Sequence, residues 1–204
     1  MIQSTSKPFI NLYLLCLFFT LILFIAFVDG TNYVREACSV TRYQDLCVKS
    51  LASYSNNAKR SPSRWARAGV SVTISEVKVV SQYLDTTRKH GHIRGTRNRA
   101  ALADCVECIQ GALDDLHKSL GVLRRLSSGV FKEQMGDVLT WLSAALTDQD
   151  TCINGFEGVR RGRKNKQISM LCDKVQNASY ITSIALALVN KLATTELQDL
   201  GDDS

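Results

Sequence analysis

Apolar residues recur along most of this chain at alternating steps of three and four, the spacing of one face of an α-helix. The first such seam is Ala66, Val70, Thr73, Val77, Val80 and Leu84. The second is Leu102, Cys105, Ile109, Ala112, Leu116, Ser119 and Leu123. The third runs Phe131, Met135, Val138, Leu142, Ala145, Gln149, Cys152 and Phe156. The fourth runs Leu171, Val175, Ala178, Thr182, Ala185, Val189 and Leu192, widened by Ile181, Ile184 and Leu188. Polar or glycine-containing stretches separate them at residues 86–99, 127–129 and 158–166. The pattern predicts an all-α fold, an up-down-up-down four-helix bundle over residues 65–195. Only two prolines occur, Pro8 and Pro62, so little interrupts long helices.

Residues 31–58 read as a separate unit of two short helices. Thr41, with Gln44 three positions on, has the spacing of a capping box opening the second. Residues 56–64, NNAKRSPSR, read as a linker. At the other end, residues 196–204 are acidic and expected to fray.

The first 30 residues have a different pattern. Lys7 precedes an almost wholly apolar run from Phe9 to Val28, followed by small residues. This is the layout of a secretory signal peptide, with cleavage expected near Gly30. The chain is then expected outside the cell, with no membrane association after cleavage.

Export changes what the cysteines mean, because disulfides persist in oxidising compartments. Of seven, Cys16 leaves with the leader. A Cys38–Cys47 bridge would pin the two short helices into a hairpin, each being too short to stand alone in water. Cys105 lies early in the second seam and Cys152 late in the third, so antiparallel neighbours bring both to one end of the bundle. A bridge there closes a loop of roughly 47 residues and contributes up to about 4 kcal/mol. Cys172 opens the fourth helix at that end too. It either pairs with Cys108, across what would be a bundle diagonal, or both remain thiols.

The formal net charge is +6, unchanged by loss of the leader, where Lys7 and Asp29 cancel. In an exported chain this argues against nucleic acid as a partner and favours weak electrostatic association with acidic polysaccharide. The run 160–166, RRGRKNK, is the densest basic stretch. His90, His92 and His117 have polar neighbours and no partner motif, and Asp114 and Asp115 point in different directions from a helix. No metal, cofactor or phosphate motif is present, so no catalytic residue and no cofactor is expected. Asn177-Ala178-Ser179 is a glycosylation sequon.

The hairpin with Cys38 and Cys47, the ADC of residues 103–105, WLSAALTDQDTCINGFEG at 141–158 and SIALALVNKL at 183–192 together resemble the plant invertase and pectin methylesterase inhibitor family. The resemblance covers residues 31–195, and with the chain ending at Ser204 no catalytic domain is expected to follow. It implies a helical hairpin before a four-helix bundle, bridged Cys38–Cys47 and Cys105–Cys152. VREACSVTRYQDLCVKSLASYS at 34–55 is more similar to the esterase-inhibitor side, and no Pro-Lys-Phe element of the invertase-inhibitor kind occurs. The resemblance therefore implies an inhibitor that forms a 1:1 complex with pectin methylesterase over its pectin cleft, with acid invertase the alternative target. It also implies an inhibitory surface at Glu107 and Thr151, with Asp148, Gln149 and Asp150 beside them.

Overall fold

The computed structural model describes residues 32–91, 93, 95–160 and 166–202, together with Leu15, Leu17, Phe18 and Thr20. The first 30 residues otherwise lie outside these, as do His92 and positions 161–165 of the basic loop; no side chain is described at 159–160 or 196–202. The helices are α1 (32–38), α2 (Gln44–Leu51), α3 (Ser55–Ala58), α4 (Pro62–Lys89), α5 (Thr96–Leu123), α6 (Phe131–Asn154), α7 (Glu157–Arg160) and α8 (Lys166–Asp202). The four long ones, α4, α5, α6 and α8, form an up-down-up-down bundle. Around it, α4 packs on α5 and α8, and α6 packs on α5 and α8, which leaves α5 and α8 diagonal.

Every residue of the four seams is buried. Of the polar ones, Thr73, Gln149 and Thr182 are accommodated by hydrogen bonding, whereas Ser119 Oγ has no partner among the described residues. Thr73 Oγ1 donates to Gly69 O at 2.9 Å. Thr182 Oγ1 lies 2.9 Å from Ala178 O and 3.0 Å from the Gln149 side-chain amide. One hydroxyl proton cannot serve both. With the Gln149 amide turned so that its NH2 faces Thr182, the amide donates to Oγ1 and the hydroxyl donates to Ala178 O. That arrangement gives the Gln149 nitrogen an acceptor and leaves Oε1 as the amide atom with no partner among the described residues.

The α4–α5 connection is shorter than the polar stretch 86–99 implies. Helix α4 continues to Lys89 and α5 begins at Thr96. The turn between them uses Gly91 at φ 61 and Gly95 at φ 92, a region that side chains disfavour. Ile93, only 3% exposed, plugs the turn into the core. Between α5 and α6, Gln134 accepts from Ser127 N at 2.9 Å and donates to Arg125 O at 3.1 Å, clamping the loop from both sides.

The N-terminal segment differs from its expected form in three ways. The capping box is not made: Thr41 Oγ1 donates back to Cys38 O at 3.0 Å, and Gln44 Nε2 to Ser39 O at 3.3 Å. Thr41 thus adds its hydroxyl to its own N–H on the Cys38 carbonyl, and Gln44 reaches the carbonyl just after α1, which competes with capping α2. The hairpin is not a separate unit either. Val34, Cys38, Cys47 and Leu51 share a core with Trp65 of α4 and with Ile184 and Leu188 of α8, and the Tyr43 and Tyr180 rings lie 4.5 Å apart. Finally, the expected linker 56–64 is mostly ordered. Helix α4 starts at Pro62, with Ser61 as N-cap and Pro at the first helical position, where its missing N–H costs nothing. At the other terminus, α8 runs on to Asp202. No helix breaker precedes Gly201 there.

Lys59 joins α3 to α4 at φ 47 and is the one non-glycine residue with positive φ among those described. Its carbonyl accepts from Trp65 Nε1 at 2.7 Å, so the turn is held by a backbone atom that any residue supplies. Replacing Lys59 with Gly is therefore expected to raise stability by up to about 1 kcal/mol, by relieving strain. A urea titration of both proteins checks this; a destabilised variant would show that the strain is not felt.

Candidate functional site

The structure bridges Cys38 to Cys47 and Cys105 to Cys152. The second bond staples α5 to α6 in the first half of α5, with the two Cα atoms 4.3 Å apart. It fixes the register of the two helices and so positions the side chains in the neighbouring turns. Cys108 and Cys172 are not joined. Cys108 sits half-buried on the outer flank of α5, whereas Cys172 is buried in the bundle core on the diagonal helix.

Beside the staple, the α6 side chain Asp148 reaches across to α5. A Cβ placed on Gly111 would come within 2.9 Å of Asp148 Oδ2, so the carboxylate occupies space that only glycine leaves free. Burial, and secondarily the charge of Asp115, pushes the Asp148 carboxyl above the usual carboxylate range. Burial also pushes the Cys108 thiol up, aided by the charges of Asp148 and Asp104 and, more weakly, Glu107. A thiol so held stays protonated and is a poor nucleophile.

Thr151 is exposed on α6, and its hydroxyl donates to Thr147 O at 2.8 Å, which fixes the side chain without using it in the core. At about 100° per residue, Thr151 lies roughly 60° around α6 from Asp148, on the flank towards α5. Glu107 is exposed on α5, near enough for its charge to act on Cys108. The arrangement thus gathers Glu107, Asp148 and Thr151 around one side of the α5–α6 pair. Asp150 is exposed but about 200° around the helix from Asp148, so it belongs to the opposite flank. The expectation that Gln149 adds to the polar surface is corrected: it is 0% exposed, an inward residue held by Thr182. The same residue cannot satisfy the core and face a partner.

Sequence reasoning does not single out Asp104, Cys108, Gly111 and Asp115 as a group. Their spacing of four, three and four marks a second ladder beside the buried seam of α5, and that periodicity is the available signal. His117 is exposed, with Nδ1 2.7 Å from Leu113 O, and Asp115 pairs with Lys118 at 2.9 Å. Among the described residues no group of three or more His, Cys, Asp or Glu side chains is arranged to hold a metal ion, and no helix is long and apolar enough to cross a membrane. Asn177 of the sequon is exposed on α8, while its Ser179 is 7% exposed.

The raised carboxyl of Asp148 has a consequence for stability. The folded state binds that proton more tightly than the unfolded chain, so stability falls as pH rises from the ordinary value of 3.8 through the raised one. Asp148→Asn lacks this loss. It should be more stable than the parent near pH 7, with the difference closing as pH falls to about 4. Urea midpoints at the two pH values decide; an equal difference at both would show that the carboxyl is not perturbed.

Comparison with known proteins places the chain in context. The family model described as plant invertase/pectin methylesterase inhibitor matches residues 32–188. Pectinesterase inhibitor 6 of Arabidopsis thaliana is 44% identical over 163 residues, covering 80% of this chain and 76% of that protein. Pectinesterase inhibitor 3 of the same plant is 35% identical over 198 residues, 92% and 95% of the two chains. A crystal structure of a mutant form of an Arabidopsis pectin methylesterase inhibitor superposes with a TM-score of 0.59 at 20% identity, over 75% of this chain and 92% of that one, which is a likeness of fold.

Proposed function

The chain belongs to the plant invertase/pectin methylesterase inhibitor family, and we propose that it is a secreted inhibitor of pectin methylesterase. The observation that carries this reading is the 44% identity over 163 residues to a protein named as a pectinesterase inhibitor. Its partner is the esterase, bound 1:1, with the α5–α6 side covering the cleft that takes pectin. Glu107, Asp148 and Thr151 supply the contact, and Asp150, on the opposite flank of α6, stays outside it. The geometry supports this because the three side chains stand on two helices locked together by Cys105–Cys152. A surface already rigid loses little freedom on binding, which favours affinity.

Covering the cleft has a kinetic signature. Pectin and the inhibitor then exclude one another, so the inhibitor concentration needed for half inhibition should rise in proportion as pectin is raised above its KM. Inhibition independent of pectin concentration would place the contact away from the cleft. Acid invertase assayed beside it should keep its activity; loss of invertase activity alone would move the assignment to the family's other branch.

A further inference from the structure

At the end of the bundle away from the Cys105–Cys152 staple, three arginines surround one concavity. Arg64 and Arg67 come from the first turns of α4 and Arg124 from the end of α5, around a cavity of about 250 Å³. Among the described residues no carboxylate lines it, and none of the three arginines makes an ion pair. Arg64 donates to Asn57 O at 2.6 Å and Arg67 Nε to Ser63 O at 3.2 Å, both backbone carbonyls. Each guanidinium carries five N–H donors, so most remain available to a ligand. Three like charges around a concavity repel one another and focus a positive field there, which an anion relieves.

The walls narrow the anion. Tyr54 and Leu120 add an aromatic ring and an aliphatic surface, and Ser71 and Asn57 add a hydroxyl and an amide. An inorganic anion has no use for an apolar wall. A carboxylated sugar has both parts: a carboxylate for bidentate arginine contact and ring C–H faces for Tyr54 and Leu120. The volume is below the roughly 300–1000 Å³ of sites that engulf a small molecule, which suits a polymer laid across the surface with one or two rings inserted.

We propose that this arginine concavity binds a carboxylated oligosaccharide segment of the kind that removal of methyl esters from pectin exposes. Glu107 and Arg124 are 17 positions apart along α5 and its C-cap, roughly 25 Å at 1.5 Å per residue. Both ends can therefore be occupied together, with the esterase at one and its acidic product at the other. The tethering role rests on the proposed function; the binding site itself does not.

The test needs no enzyme. Binding of a short oligogalacturonate to the mature protein is measured by titration calorimetry, beside its methyl-esterified counterpart and sodium sulfate at equal ionic strength. Arg67→Gln with Arg124→Gln is compared with Lys78→Gln plus Lys89→Gln, exposed residues elsewhere on α4 that remove the same charge. Arg64 is left intact because it ties α3 to α4, and circular dichroism checks both variants for folding. The expected result is about a tenfold or greater loss for the arginine pair, less than about twofold for the lysine pair, and about tenfold weaker binding of the methylated oligomer. Equal losses in the two variants would reduce the effect to net charge and overturn the site. So would equal affinity for the methylated oligomer, competition by sulfate beyond its ionic strength, or no binding. If the protein binds the oligomer but leaves the esterase active, the site stands and the proposed function falls.

Discussion

Replacing Cys105 and Cys152 together with serine is expected to lower the unfolding free energy by about 4 kcal/mol, the loop-closure value for a separation of 47 residues. The same estimate for Cys38–Cys47, separated by 9, is about 2.5 kcal/mol. The larger loss is due to the longer loop; all four cysteines are buried, so the desolvation cost of serine hydroxyls is common to both variants. Urea titration of the two double variants should therefore rank them with the α5–α6 staple the more damaging. A loss below about 1 kcal/mol for Cys105/Cys152 would mean that packing of α5 on α6 alone sets the register.

Thr151→Trp is expected to weaken inhibition at least a hundredfold, about 2.7 kcal/mol of binding, while unfolding free energy moves by no more than about 0.5 kcal/mol. The asymmetry comes from where the side chain stands. Thr151 is exposed, its hydroxyl is bonded within its own helix to Thr147 O, and a helix surface tolerates indole in solvent. Against a fitted partner surface the added rings have nowhere to go. Denaturation and inhibition measured on the same preparation separate the cases. Equal inhibition by the variant would take Thr151 out of the interface, and a collapse of stability would make it structural.

The bundle is legible in the sequence because its signal is local. A period between three and four survives Thr73, Gln149 and Thr182 in the seams, since buried hydroxyls and one amide can bond within or across the helices. Helix ends are less legible. Ser61-Pro62 starts α4 earlier than its first apolar seam position, and Thr41 caps the helix behind it instead of the one ahead. The candidate site is legible only in part. Thr151 and Glu107 fall on the surface, but Gln149 belongs to the seam by its spacing, and only its polarity suggests otherwise. Gly111 under Asp148, the docking of the hairpin on α8, and the meeting of Arg64, Arg67 and Arg124 depend on distant segments coming together. No local pattern encodes those.

Whether this protein switches off pectin methylesterase by binding it is decided by titrating a fixed amount of esterase, well above the dissociation constant, with the mature protein. Released methanol is the readout. A linear fall in activity that reaches its floor at one equivalent is expected, with invertase unaffected under the same conditions. Full esterase activity across the whole titration, on several plant isoforms and at several acidic pH values, would contradict the proposed function.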